Sequence, residues 1–241
     1  RYESAFNAKQ TSDGGYFFAG YTSSIGAGLY DYWLVKLDPY GSITWQKTYG
    51  AQQADVGFYG DITSDGGFIL SGYTVPENRT DKDFWLIKTD GDGNLLWSQT
   101  YGDSMSQSAN FLQETADSGF IVIGETKGGS TQSDILLIKT DKTGAEEWRK
   151  IIAEPGNDIP YAIKQTSNGY IMISTTTSMG AGDRDILLIK FDSNGDLLWQ
   201  KTYGGASLEY GFDVVVESDG YILTGSTSSY GTMFYDMWVF K

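Results

Sequence analysis

Two sets of acidic residues carry whatever chemistry this chain can do. Asp31, Asp83, Asp134, Asp185 and Asp236 each stand five positions before a lysine: Lys36, Lys88, Lys139, Lys190 and Lys241. A carboxylate and an ammonium at fixed spacing suggest acid–base work. Their recurrence argues otherwise, because a catalytic carboxylate is needed once or twice, whereas a residue present in every copy satisfies a turn or a charge partner in every copy. The second set, Glu3, Asp55, Gln107, Asp158 and Glu209, lies eight positions before the Thr or Glu that closes the first strand of each repeat. Gathered at one mouth, four carboxylates and an amide would raise one another's pKa or attract a cation such as Ca²⁺. The plainer reading has each capping its own turn and facing solvent. Paired carboxylates are also the one hydrolytic apparatus that needs neither His nor Cys. A glycoside hydrolase would require two of Glu3, Asp55, Asp158 and Glu209 in different environments, roughly 5 to 9.5 Å apart.

Other chemistry is excluded by composition. The 241 residues contain no Cys and no His, which removes disulfides, thiolate nucleophiles, zinc sites of the usual ligand types and any Ser-His-Asp triad. A net charge of -14 sets a negative field against nucleic acid, anionic membranes and acidic substrates. No apolar run is long enough to span a bilayer, for which about 18 residues are needed. The segment Asp90-Gly91-Asp92-Gly93-Asn94 imitates the start of a calcium loop, but Leu95 and Tyr101 occupy the positions where an EF-hand needs Gly and Glu. Asn78-Arg79-Thr80 matches a glycosylation sequon.

The elements that must position these groups are repeated. TSDGGYFFAGYT from Thr11 recurs, with variation, from Thr63, Thr115, Thr166 and Glu217, dividing the chain into units of approximately 1–50, 51–102, 103–153, 154–204 and 205–241. Periods of this length built from short strands mean a propeller or an array. Each unit reads as strands A to D: in the first copy Ala5 to Thr11, Tyr16 to Thr22, Asp31 to Asp38 and Ser42 to Tyr49. Asp-Gly and Asn-Gly turns close the A–B hairpins. Strand C decides the architecture. DYWLVK, DFWLIK, DILLIK, DILLIK and DMWVFK are almost continuously apolar between Asp and Lys, so both faces must be covered, as in a blade flanked by blades and unlike a half-wet sandwich sheet. The expected fold is one all-β domain over residues 1–241, a five-bladed β-propeller of four-stranded antiparallel blades whose last blade lacks its outer strand.

A second signature, Asp-x-x-Gly-x-x-x-Trp, falls at the C–D turn: Asp38/Gly41/Trp45, Asp90/Gly93/Trp97, Asp141/Gly144/Trp148 and Asp192/Gly195/Trp199. It resembles the tryptophan-docking repeat of quinoprotein-like propellers. Together with the DGGY hairpin, the D-x-W-L-x-K strand and the closing W-x-x-T-Y-G, the chain is similar to the secreted repeat propellers of archaeal and bacterial surface proteins. That resemblance implies architecture and an extracellular or cell-surface setting. No dedicated quinone cage is visible. The missing fifth D strand leaves three alternatives: a chain that continues, a strand from residues before Arg1, or an arc of a larger ring.

Chain direction separates a short, stereotyped end from a variable one, and function is expected on the variable loops. Tyr30, Tyr230, Phe234 and Tyr235 concentrate there and could stack on a sugar ring, anchor a protein partner or cover a seam. The expected function is a non-enzymatic propeller binding glycan or protein through that face, with no cofactor beyond an optional Ca²⁺. The alternative is a glycoside hydrolase.

Overall fold

The computed structural model describes residues 2–103, 105–128, 132–153, 155–231 and 234–241. Its regular elements are strands throughout. The first sheet is β1 (Glu3–Gln10), β2 (Tyr16–Thr22), β3 (Asp31–Leu37) and β4 (Ile43–Tyr49). The second is β5 (Asp55–Ile62), β6 (Phe68–Thr74), β7 (Asp83–Thr89) and β8 (Leu95–Tyr101). The third is β9 (Ser106–Glu114), β10 (Phe120–Lys127), β11 (Asp134–Thr140) and β12 (Glu146–Ile152). The fourth is β13 (Asp158–Thr166), β14 (Gly169–Thr176), β15 (Asp185–Phe191) and β16 (Leu197–Tyr203). The fifth has three strands, β17 (Glu209–Glu217), β18 (Gly220–Thr227) and β19 (Asp236–Phe240). Strands pair in chain order within every sheet. The fold class is that of a five-bladed β-propeller with an incomplete last blade. The first strands begin earlier than expected, at Glu3 rather than Ala5 in the first copy.

Carboxylates set the turns. Asp13, Asp65 and Asp117 each accept from the hydroxyl of the Thr two residues earlier and from the N–H of the Gly two residues later, which pins the A–B hairpin. At the C–D turn Asp90 Oδ1 accepts the N–H groups of Asp92 and Asn94, and Asp38, Asp141 and Asp192 do the same in their copies. The calcium-like segment is therefore an ordinary turn. The strand C lysines also serve the turns. Each of Lys36, Lys88, Lys139 and Lys190 is buried and donates to the carbonyl of its following residue, and Lys36 and Lys88 add Asp13 and Asp65.

The chain folds as two compact units, one of residues 1–120 with 141–145, the other of residues 121–140 with 146–241. In the first, Phe17, Leu34, Phe68, Leu70 and Ile87 form one buried cluster between the first two sheets. In the second, β15 is buried at every position, as the continuous apolar run of DILLIK requires. Ile189→Ala is accordingly expected to lower the urea midpoint by the equivalent of about 2–5 kcal/mol. Leu197→Ala, on the exposed part of β16, is expected to change it by about 0.5 kcal/mol or less. Equal losses at the two positions would contradict burial of both faces of strand C.

The fifth copy departs from the expectation of two buried faces. On β19, Met237 and Val239 are exposed, and so is Val215 on β17, with β18 between the two strands. The opposite face packs Val214 and Leu223 inward. DMWVFK is apolar like its relatives, but among the described residues of its own unit no sheet lies over its second face.

Candidate active site

A repeated backbone hydrogen bond joins successive repeats and brings the two acidic sets together. Asp55 N–H donates to the Tyr30 carbonyl at 2.8 Å, Gln107 to Lys82 at 2.7 Å, Asp158 to Ser133 at 2.9 Å and Glu209 to Arg184 at 2.9 Å. Each acceptor immediately precedes a strand C aspartate. The residue opening strand A of one copy is thereby fastened beside the Asp opening strand C of the copy before it. The pairs are Asp31 with Asp55 and Asp83 with Gln107 in the first unit, and Asp134 with Asp158 and Asp185 with Glu209 in the second. Glu3 is exposed at the start of β1, whereas Asp55, Gln107, Asp158 and Glu209 are buried in these junctions.

Glycine makes room for the pairs. Asp55 Oδ2 lies 2.8 Å from where a Cβ on Gly50 would sit, and Asp31 Oδ1 lies closer still. At Gly204 the corresponding atoms are Glu209 Oε2, at 2.6 Å, and Asp185 Oδ1, again closer. The closing glycine of the W-x-x-T-Y-G motif is thus the gap across which two carboxylates face each other. Hydrogen bonds hold the outer oxygens of Asp31 and Asp185, with Gly28 N–H donating to Asp31 Oδ2 at 3.0 Å and Gly182 N–H to Asp185 Oδ2 at 3.1 Å, whereas Ala51 N–H donates at 2.8 Å to Asp55 Oδ2, the oxygen that faces Asp31.

The junctions are not electrostatically equivalent. Burial pushes Asp55 above the usual carboxylate range, and the charge of Asp31 adds to the shift against hydrogen bonds from Thr74 and Ala51. Burial likewise raises Asp185, with a contribution from Glu209. Glu209 is buried too, but hydrogen bonds from Ser229, Gly205 N–H and Thr227 outweigh that cost and hold it below its ordinary value. Among the described residues Asp185 Oδ1 has no hydrogen-bond partner, nor do Asp83 Oδ1 and the side-chain amide of Gln107. For the two aspartates, an unpaired buried oxygen favours the neutral acid.

A raised folded-state pKa contributes stability that is complete below the unfolded value, near 3.8, and is lost as pH rises through the folded one. Asp185→Asn removes that loss. Its melting temperature is expected to gain on the parent between pH 5 and 8 and to approach it at pH 3–4, read by thermal unfolding across pH. A variant that gains most at low pH would contradict the raised Asp185.

The Asp55 junction opens on a cavity of about 370 Å³, lined by Asp55, Gly50, Thr74, Tyr49 and Trp85. Its apolar wall and single carboxyl group suit a sugar ring, which presents a flat C–H face and hydroxyls. The aromatic residues expected to bind ligand divide between the two units. Tyr30 packs edge-on against Tyr21 in the first unit. In the second, Tyr230 packs on Trp238 and donates to the Gly204 carbonyl, Tyr235 meets Tyr210, and Phe234 is exposed. Among the described residues no cluster of three or more His, Cys, Asp or Glu could hold a metal ion. No helix is long and apolar enough to cross a membrane.

The sequence reading does not pair Asp31 and Asp185 with the strand A acids. The signal is a constant offset of 24 residues, 31 to 55, 83 to 107, 134 to 158 and 185 to 209, with a glycine before the second member in three of four copies.

No protein-family model matches this chain, and no curated protein matches it in sequence. Solved structures do match in fold. An endo-arabinase from Bacteroides thetaiotaomicron aligns over 99% of this chain and 93% of its own, with a TM-score of 0.52 and 13% identity. A Bacteroides caccae protein of unknown function aligns over 86% of this chain with a TM-score of 0.50 and 11% identity, and the chain spans 64% of its length. The expectation of a propeller that binds without turnover is corrected here. It rested on repetition leaving no distinct acid pair, but burial and hydrogen bonding differ between the junctions, and the fold is shared with a structure named an endo-arabinase over 93% of its length.

Proposed function

We infer that this chain is a glycoside hydrolase in which Asp55 donates the proton and Asp31 is the facing carboxylate. The observation that carries the reading is Asp55 in the wall of the Trp85 cavity, with Asp31, which does not itself line the cavity, converging on the same Gly50. Both oxygens crowd the space of one methyl group, closer than the roughly 6.5–9.5 Å that inverting enzymes leave for a water, so the retaining spacing of about 5–5.5 Å is the nearer match. In the first step Asp55 protonates the glycosidic oxygen as Asp31 attacks the anomeric carbon, releasing the leaving sugar and forming a glycosyl ester. In the second, Asp55 takes a proton from water, which displaces Asp31. A raised acid suits the first role because it stays protonated closer to neutral pH.

Polymeric glycan is the proposed substrate class, and an extracellular setting goes with it. Linear arabinan is the first polymer to try, alongside galactan and mannan, with reducing ends measured over time and product configuration read by proton NMR. Release with retention is the expected result. No release from any polymer, or release with inversion, would remove the assignment.

A further inference from the structure

Four of the strands that open a repeat, β1, β5, β13 and β17, carry a one-residue bulge where they pair with the next strand. The residue left over is aromatic each time: Phe6, Phe58, Tyr161 and Phe212. A bulge takes its extra side chain out of the strand's alternation and re-aims it. In the first unit the rings of Phe6 and Phe58 meet edge to face with centroids 5.6 Å apart, and in the second those of Tyr161 and Phe212 do so at 5.8 Å. The recurrent lysines Lys36, Lys88, Lys139 and Lys190 are buried, as scaffold residues should be. These recurrent rings are not: Phe6 is 54% exposed and Phe212 49%. A large apolar side chain kept in the open, copy after copy, stabilises the core little and marks a contact surface.

In the first unit the pair lines a cavity of about 270 Å³ together with Tyr21, Tyr30, Tyr73 and Lys82, whose Nζ stands 4.0 Å from the centroid of the Tyr73 ring. Among the described residues none of the chain's 31 Asp and Glu lines it. It is distinct from the Trp85 cavity. Asp55 and Thr74 pair on one rung and line that cavity, whereas the next rung, Val56 with Tyr73, lines this one. Successive strand residues point to opposite faces, so the two cavities lie on opposite sides of the second sheet. The second unit repeats the arrangement: Tyr161 and Phe212 line a cavity of about 370 Å³ with Tyr210 and Tyr235, and the Arg184 guanidinium stands 4.9 Å from the centroid of the Tyr210 ring.

We propose that the cavity of Phe6 and Phe58 is a second saccharide site, which holds a neutral sugar ring of the polymer without cleaving it. The lining selects this ligand. Exposed rings match the C–H face of a sugar. A cation is disfavoured because the Lys82 ammonium already holds the place over Tyr73, and an anion is disfavoured by the net charge of -14. What remains is a neutral ring with an apolar face and hydroxyls. Burial and the neighbouring phenols of Tyr21 and Tyr30 push the Tyr73 phenol up, so it keeps its O–H and, like Lys82, donates to a sugar hydroxyl. With no carboxyl group in the lining, the ring is held and no bond to it is broken. Which polymer enters rests on the hydrolase reading.

The test uses the Asp55→Asn protein, which spares the ligand, with 4-fluorophenylalanine in place of its 12 phenylalanines. Fluorine spectra are recorded during titration with linear arabinohexaose, galactohexaose, mannohexaose and hexagalacturonate, the Phe6 and Phe58 signals being assigned by Phe6→Leu and Phe58→Leu. Saturable shifts of both signals with at least one neutral hexasaccharide are expected, and none with hexagalacturonate. Phe6→Ala is expected to weaken binding read at Phe58 about tenfold, with a melting temperature within a few degrees of its parent because the ring is exposed. Shifts absent for every neutral sugar, shifts produced as readily by hexagalacturonate, or a Phe58 curve indifferent to Phe6→Ala would overturn the site. Reducing ends released by the unsubstituted protein are scored separately. Release without shifts removes this site and leaves the hydrolase, whereas shifts without release support the site and remove the hydrolase.

Discussion

Asp55→Asn is expected to lower glycan turnover by about 10²–10⁴-fold while leaving the melting temperature within a few degrees of the parent. The amide is nearly isosteric with the acid, and its oxygen can still accept from Ala51 N–H. What it cannot do is give up a proton to the glycosidic oxygen. The loss should therefore depend on the leaving group. With an aryl glycoside whose phenol leaves without protonation, Asp55→Asn should recover much of its first-step rate, whereas Asp31→Asn should not, because attack on the anomeric carbon is missing whatever departs. The pH profile separates the roles again. Asp55 is raised above the ordinary carboxylate value, so the parent's kcat should fall as pH climbs through that raised pKa, and this alkaline limb should vanish in Asp55→Asn. Equal losses on activated and natural substrates would place Asp55 in the structure and out of the chemistry.

The second large effect is conformational. Gly195 and Gly41 occupy the same position of the C–D turn with φ of +77° and +85°, so an alanine at either pays for the left-handed region, about 1–2 kcal/mol. They differ in what stands above. Nothing lies within 4 Å of a Cβ on Gly41, whereas the Trp148 ring stands 2.6 Å from one on Gly195. Gly195→Ala must move the indole or the turn, adding about 1–3 kcal/mol of overpacking, so its urea midpoint should fall well below that of Gly41→Ala. Matching midpoints would show that tryptophan docking adds nothing to the turn.

The repeats, the strand order and the incomplete last sheet were legible because each copy restates the same local rules. Asp-Gly turns, a two-face apolar strand between Asp and Lys, and Asp-x-x-Gly-x-x-x-Trp are all short-range patterns. The aromatic residues of the variable loops were harder. Tyr30 and Tyr235 each stand one position before their strand C aspartate, yet Tyr30 packs on Tyr21 and Tyr235 on Tyr210. Loop position says where a ring begins and not which neighbour it meets. The fifth strand C shows the same limit, because DMWVFK is as apolar as DYWLVK but its exposure depends on what lies across it.

Sequence alone determined that this is a repeated all-β chain, because its periodicity calls for repeated antiparallel sheets, and its lack of thiols and imidazoles left paired carboxylates as the candidates for any hydrolytic chemistry. Only the tertiary structure decided which carboxylates meet. Asp31 and Asp55 are 24 residues apart on different sheets and face each other because one backbone hydrogen bond fastens the copies and Gly50 leaves the space between them. The same holds for their inequivalence. Burial and hydrogen bonding at each junction raise Asp55 and lower Glu209, although both open a strand A at the same place in the repeat. Charge state follows from surroundings, and the surroundings come from chain segments that no local pattern records.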